Sequence, residues 1–173
     1  MTQDLGVGSH VPVLAAVLAR TTGSILECGM GWWSTPLIHL VANGRPVLSL
    51  ETDQAWSEQL EQFKNEWHHF GIIENKGHHP TIKRWVELGE RVQKGEYEVA
   101  FLDQSPGEAR VPMALALRGK VKFIICHDLE ADIPPGGGNY GWRQLEGLFR
   151  HQLTYNHVRP WTGIYSDEEE FKL

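Results

Sequence analysis

SILECGMGWWSTPLIHLVANGRPVLSLE, residues 24 to 51, is the stretch that decides how this chain folds. Ile25 and Leu26 open a short apolar run that stops at Gly29 and Gly31. Thr35 followed by Pro36 predicts a helix start, because threonine caps free amides and proline fits the first helical position. Leu37, Leu40 and Val41 give that helix an apolar face, and Gly44 suits the left-handed turn that ends it. Val47 to Leu50 reads as a second apolar strand, with Glu51 at its carboxyl end. A strand–helix–strand unit of this length implies a right-handed parallel crossover. Its ligand crevice lies at the carboxyl ends of the strands, where the glycines and Glu51 are.

A turn without side chains lets a ligand approach backbone amides near the positive end of the following helix. Glu51 lies twenty residues beyond Gly31, the offset at which an acid meets a ribose diol. Both nicotinamide enzymes and S-adenosylmethionine enzymes share that much. The dinucleotide fingerprint wants a third glycine where this chain has Ser34. Glu27, just before the turn, suits an ammonium or sulfonium better than a pyrophosphate. A ligand with adenosine, a positive sulfur and an amino acid end fits this loop better than NAD.

The string ExGxGxxST, followed by VLSLETD, resembles motifs I and II of class I S-adenosylmethionine-dependent methyltransferases of the small-molecule type. The resemblance implies an α/β fold: a doubly wound, Rossmann-like, mostly parallel seven-stranded sheet with helices on both faces and a C-terminal antiparallel hairpin. It places Glu27, Gly29, Met30, Gly31 and Ser34 around the methionine part of the cofactor, and Glu51 with Thr52 on the ribose. Trp85 is expected near the adenine, and Asp103 among the cofactor contacts. A nucleotide-binding domain of another kind is the competing reading of the loop.

The chain's 173 residues are about one domain, read here as residues 1–173. A net charge of −6 disfavours nucleic acid as the main partner, since phosphate binding wants a basic surface. Cys28 and Cys126 make no metal spacing and fall at the ends of predicted buried strands. The apolar run Val11 to Leu18 is too short to span a membrane and lacks the basic start of a signal peptide. The expectation is a cytoplasmic protein with a small-molecule acceptor and no membrane partner; a homo-oligomer is left open.

In chain order, residues 1 to 9 read as a loose arm. A helix follows from Ser9 and Pro12, with His10 at its mouth as a candidate to reach the site. Asp53 caps a third helix carrying Trp56, Leu60, Phe63, Trp67 and Phe70 at helical spacing, ended by Gly71. Thr81 to Val86 reads as the third parallel strand, with Trp85 near its end. Tyr97 to Leu102 is the fourth strand, ended by Asp103. The DQSPGEARVPMAL that follows resembles the DGPPG-type loop of several small-molecule methyltransferases, and its residues do not fit the motif of base-methylating enzymes. Val121 to Cys126 is the fifth strand, ending in His127 and Asp128. DIPPGGGNYGW then reads as a cover loop, Trp142 to Phe149 as a helix, and LTYNHVRPWTGIYS as two strands joined at Pro160 to Gly163.

Methyl transfer to oxygen needs alignment and removal of a proton. His127 is the candidate base, because an imidazole titrates near neutral pH, and Asp128 is the candidate to orient it or bind substrate. Adjacent strand residues point to opposite faces, so only one of the two is expected to face the crevice. Some enzymes of the resembled class bind a divalent ion with acids at the ends of the fourth and fifth strands, here Asp103 and Asp128. Their usual Asp-Asn pair is His-Asp in this chain, and no metal is assigned. An adenosyl-ligand protein that transfers no methyl group, such as an aminopropyl transferase, a lyase or a regulatory binder, is the alternative.

Overall fold

The crossover predicted from residues 24–51 forms the middle of a seven-stranded sheet. A computed structural model describes residues 8–132 and 139–173. The strands are β1 (Ile25–Cys28), β2 (Val47–Glu51), β3 (His68–Ile72), β4 (Val99–Leu102), β5 (Phe123–His127), β6 (His151–Tyr155) and β7 (Thr162–Ser166), in spatial order β3-β2-β1-β4-β5-β7-β6. The first five are parallel; β7 runs antiparallel to both β5 and β6. The predicted sheet class, with its antiparallel C-terminal hairpin, is what the chain forms.

Burial on both faces explains the mostly apolar strands β1, β2, β4 and β5, since helices cover each side of the parallel part. Ile25, Val99, Phe101, Phe123 and Ile125 pack with α1 (Val11–Leu18) and α2 (Ser34–Ala42) on one face. Leu26, Cys28, Ala100, Leu102, Ile124 and Cys126 pack with α4 (His78–Arg91) and α5 (Arg110–Leu117) on the other. Both cysteines are free and buried, and burial pushes their thiols up. Among the described residues no helix is long and apolar enough to cross a membrane.

Four local expectations are corrected. The third helix is short: α3 covers Gln54–Glu58 under the Asp53 cap, and His68–Ile72 is strand β3 rather than its continuation. The Asn65 side chain accepts the amides of Trp67 at 3.0 Å and His68 at 2.8 Å, a turn that ends the helical path and starts the strand. Thr81 to Val86 is not a strand but the middle of α4, whose buried residues Thr81, Trp85 and Gly89 recur every four positions. Gly89 lets α4 approach α5 closely; a methyl there would meet Met113 Sδ at 2.8 Å. Trp142–Leu145 is a single 3-10 turn, and Gly147 at φ +70° prevents the longer helix. The hairpin's second strand already begins at Thr162, so its connection ends earlier than the predicted Gly163. Of the loose arm expected over residues 1–9, residues 1–7 lie outside the described residues, but Ser9 is buried and its hydroxyl donates to the Pro160 carbonyl, so the arm is fixed there. The cover loop falls mostly on 133–138, outside the described residues.

Candidate functional site

The glycine turn between β1 and α2 is held from three sides. Gly29 has φ +88°, and a Cβ there would lie 2.5 Å from the carbonyl carbon of Asp103. Its bare Cα thus serves contact with the end of β4. Gly31 differs: apart from its chain neighbours, only Ser34 Oγ would lie within 4 Å of an added Cβ, at 3.3 Å. The Met30 peptide between them is clamped at both ends. Its N–H donates to Glu51 Oε2 at 2.9 Å, and its carbonyl accepts from the Trp56 indole at 2.8 Å. Glu51 Oε1 accepts from the amides of Thr52 (2.7 Å) and Asp53 (3.1 Å) and from the Thr52 hydroxyl (3.1 Å). Loop and acid therefore meet at the carboxyl ends of β1 and β2, where their spacing in sequence placed them.

Glu27, expected at the methionine part, lies instead beneath this turn, fully buried on the α2 face of the sheet with its oxygens taken by hydroxyls of the fold. Thr35 Oγ1 stands 3.0 and 3.1 Å from its two oxygens and also accepts the Gly31 amide at 3.1 Å. Ser49 donates to Glu27 at 2.5 Å, and Ser34 is a further hydrogen-bond partner. Because the Ser49 proton goes to Glu27, His68 Nε2 donates to Ser49 at 2.8 Å, leaving His68 Nδ1 to accept from His39 at 3.1 Å. Burial pushes the Glu27 carboxyl up to about 7, against the lowering by its hydroxyl partners. Burial and the neighbouring His39 hold His68 down at about 4. Thr35 thus acts below the loop, while the residue preceding α2 is Trp33, without a side-chain cap.

Trp85 was expected near the adenine, and the structure corrects this. It is a fully buried α4 residue whose indole donates to the Ser105 carbonyl at 3.1 Å, so it presents no ring face to a ligand.

At the ends of β4 and β5 the structure assembles a four-membered ionic cluster. Asp103 follows β4, His127 ends β5, and Asp128 has φ +61°. That left-handed backbone breaks strand alternation and swings the Asp128 carboxylate back toward His127, at 3.4 Å from Nδ1. Both residues thus join one cluster, where alternation alone allowed one. Arg110, which sequence reasoning passed over, ties the two strand ends together. Its five N–H donors meet the carbonyls of Gln104, Asp103 and His127 and the carboxylates of Asp103 (3.0 Å) and Asp128 (2.6 Å). The available signal was a lone cation at the start of an apolar helix, downstream of one acid and upstream of another.

The hydrogen bonds also set the charge of His127. Ser9 Oγ gives its one proton to the Pro160 carbonyl at 2.6 Å, so it accepts from His127 Nε2 at 3.0 Å. Asp103, an acceptor, lies 3.2 Å from Nδ1. Both ring nitrogens then carry protons, and the ring is an imidazolium. Burial lowers its pKa, but the Asp103 hydrogen bond and the two carboxylate charges raise it further. Burial likewise raises Asp103, and His127 and Arg110 outweigh it, holding the carboxyl below its ordinary range. Two cations and two anions balance. His10 closes the cluster on its inner side, 3% exposed, its ring 4.7 Å from that of His127 and 4.9 Å from Phe101. Among the described residues neither of its nitrogens has a hydrogen-bond partner, an arrangement that costs about 1–3 kcal/mol per buried group.

A groove of about 400 Å³ between β6 and the C-terminal tail lies on the far edge of the sheet, with β4, β5 and β7 between it and β1. The chemistry gathers elsewhere, at the carboxyl edge.

No protein-family model matches the chain, and no curated relative was found. Solved structures do match. Monomeric WbdD superposes with a TM-score of 0.66 at 13% identity over 96% of this chain. Spermidine synthase from Thermotoga maritima gives 0.65 at 13% over 95%, and a candidate O-methyltransferase from Klebsiella pneumoniae gives 0.62 at 14% over 96%. The chain has the class I methyltransferase fold. It spans 42% of the length of WbdD, 60% of the spermidine synthase and 83% of the Klebsiella protein. In this methyltransferase fold the glycine turn, Glu51 and the Asp103–His127 cluster share one edge of the sheet.

Proposed function

We propose that this protein is an S-adenosylmethionine-dependent methyltransferase acting on an oxygen of a small-molecule acceptor. One observation carries the reading: Glu51 at the end of β2 bonds the Met30 amide of the glycine turn, beside the uncovered Cα of Gly31. The residues fit the cofactor. Each carboxylate oxygen offers two acceptor positions; Oε1 of Glu51 is saturated by its three donors, while Oε2 takes only the Met30 amide and keeps a position for a ribose hydroxyl. Met30, Gly31 and Ser34 would hold the methionine part, and Glu51 with Thr52 the ribose. Glu27 supports the loop from below. The cofactor supplies an electrophilic methyl group on a positive sulfur.

The acceptor's place is the adjoining edge at the ends of β4 and β5. The Asp103 and Asp128 side chains are 25% and 27% exposed and that of His127 only 5%, so the two acids present the open carboxylates, and the one beside the glycine turn is Asp103. His127 and Arg110 stand behind it and fix its direction. The imidazolium state makes His127 a positioning and charge-balancing residue rather than a ready base. Pairing of both acids with cations favours a neutral hydroxyl acceptor over a polyamine, which carries positive charge beyond its attacking amine.

Calorimetry with S-adenosylmethionine, S-adenosylhomocysteine and NAD tests the reading. Binding of the two adenosyl compounds at one site per chain is expected. Equal or tighter binding of NAD, with neither adenosyl compound bound, would refute it.

A further inference from the structure

We propose that His10, Asp103 and His127 form a site for a divalent transition-metal ion of the zinc class. One potential ligand atom from each of the three residues lies within 4.8 Å of the others. Bonds of about 2.0–2.2 Å to one ion hold neighbouring ligand atoms about 3.0–3.5 Å apart. His127 Nδ1 and Asp103 Oδ1 are 3.2 Å apart, which is that spacing.

Each ligand is also prepared from behind. A metal-bound imidazole usually donates its other N–H to a fixed acceptor, which settles its tautomer and orientation. His127 Nε2 does so toward Ser9 Oγ, itself anchored on the Pro160 carbonyl. Arg110 bonds the Asp103 carboxylate and fixes its direction. His10 is the independent pointer: a ring 97% buried, at the cluster, with no hydrogen-bond partner for either nitrogen among the described residues. In the metal-free arrangement the Nδ1 proton of His127 bridges to Asp103, and an ion would take that proton's place.

The donor set selects the ion. Mg²⁺ and Ca²⁺ prefer oxygen ligands, as in the Asp103–Asp128 pair weighed from the sequence. Two imidazoles with one carboxylate suit Zn²⁺, Co²⁺ or Fe²⁺, and three protein ligands leave positions open for a further oxygen. Such an ion would stand at the acceptor edge, where it could bind an acceptor hydroxyl and favour loss of its proton. That last consequence rests on the methyltransferase reading; the site itself does not.

The test uses the purified chain without cofactor, titrated with Co²⁺ as a spectroscopic probe, then with Zn²⁺ and, separately, Mg²⁺. The expected result is one equivalent of Co²⁺ with visible d–d bands, displaced by Zn²⁺ and not by Mg²⁺, and a melting temperature raised by Zn²⁺. His10→Phe keeps an aromatic ring against Phe101 and should weaken binding about 100-fold or more, as should Asp103→Asn. Exposed His78 and His79 supply an internal control, since binding there survives both substitutions. Absence of a one-equivalent site in the parent overturns the proposal, whether or not either variant folds. Parent-like affinity in a folded His10→Phe also overturns it. Neither result bears on cofactor binding, which calorimetry measures separately.

Discussion

Replacing Glu27 with glutamine should flatten the pH dependence of stability in a calculable way. The carboxyl is fully buried without a cation, and burial raises it from 4.5 to about 7. An acid whose folded pKa is raised binds a proton in the native state that the unfolded chain has already released. Its contribution is fully present below about pH 4.5 and is lost as pH rises through about 7. A gap of about two and a half units is worth roughly 3 kcal/mol at most. His68 works in the opposite sense: held at about 4, it makes stability rise with pH between about 4 and 6.5. The parent alone therefore shows a muted profile, and the difference between parent and variant isolates Glu27. Glutamine preserves the shape: its carbonyl can accept from Thr35, and its amide can donate to Ser49, which then turns its hydroxyl to His68. Urea unfolding followed by tryptophan fluorescence, from about pH 4.5 to 8.5, gives the difference directly. The parent should lose about 3 kcal/mol relative to Glu27→Gln across that range, mostly below about pH 7.5. A difference that stays flat within about 0.5 kcal/mol would show that Glu27 is ionised throughout and would refute the argument.

The two glycines of the turn should separate cleanly. Gly29→Ala places a Cβ at φ +88° against the Asp103 backbone and should cost upwards of roughly 1–3 kcal/mol in denaturant melts, whereas Gly31→Ala should fold like the parent and bind S-adenosylmethionine about tenfold or more weakly by calorimetry. Parent-like affinity in Gly31→Ala would move the cofactor elsewhere. Glu51→Ala strips acceptors from three backbone amides, so it should lower both stability, by about 1–3 kcal/mol, and cofactor affinity, by about tenfold or more; a loss of stability with unchanged affinity would show that the acid only braces the loop.

Local chemistry was enough to read the centre of this protein. Residues 24–51 contain their own turn glycines, helix residues and strand runs, and a crossover of that length has one handed solution. The two acids at the ends of β2 and β4 follow from that same local reading. Where the chain needed a distant partner, the sequence was mute. Trp56 to Phe70 has helical spacing, yet pairing with β2 converts its last residues into β3, because a strand is completed by a neighbour that spacing does not name. Thr81 to Val86 reads as a short strand until α5 supplies the surface that α4 packs on. The ionic cluster is the clearest case. Asp103, His127 and His10 are each candidates in the sequence, but nothing there joins them to one another, and Arg110 reads as an ordinary charged residue. Only the stacking of β4 beside β5, the left-handed turn at Asp128 and the return of α1 over the sheet edge bring them within bonding distance. Charge balance, proton placement and a metal's ligands depend on such distances, and those are set by the tertiary fold.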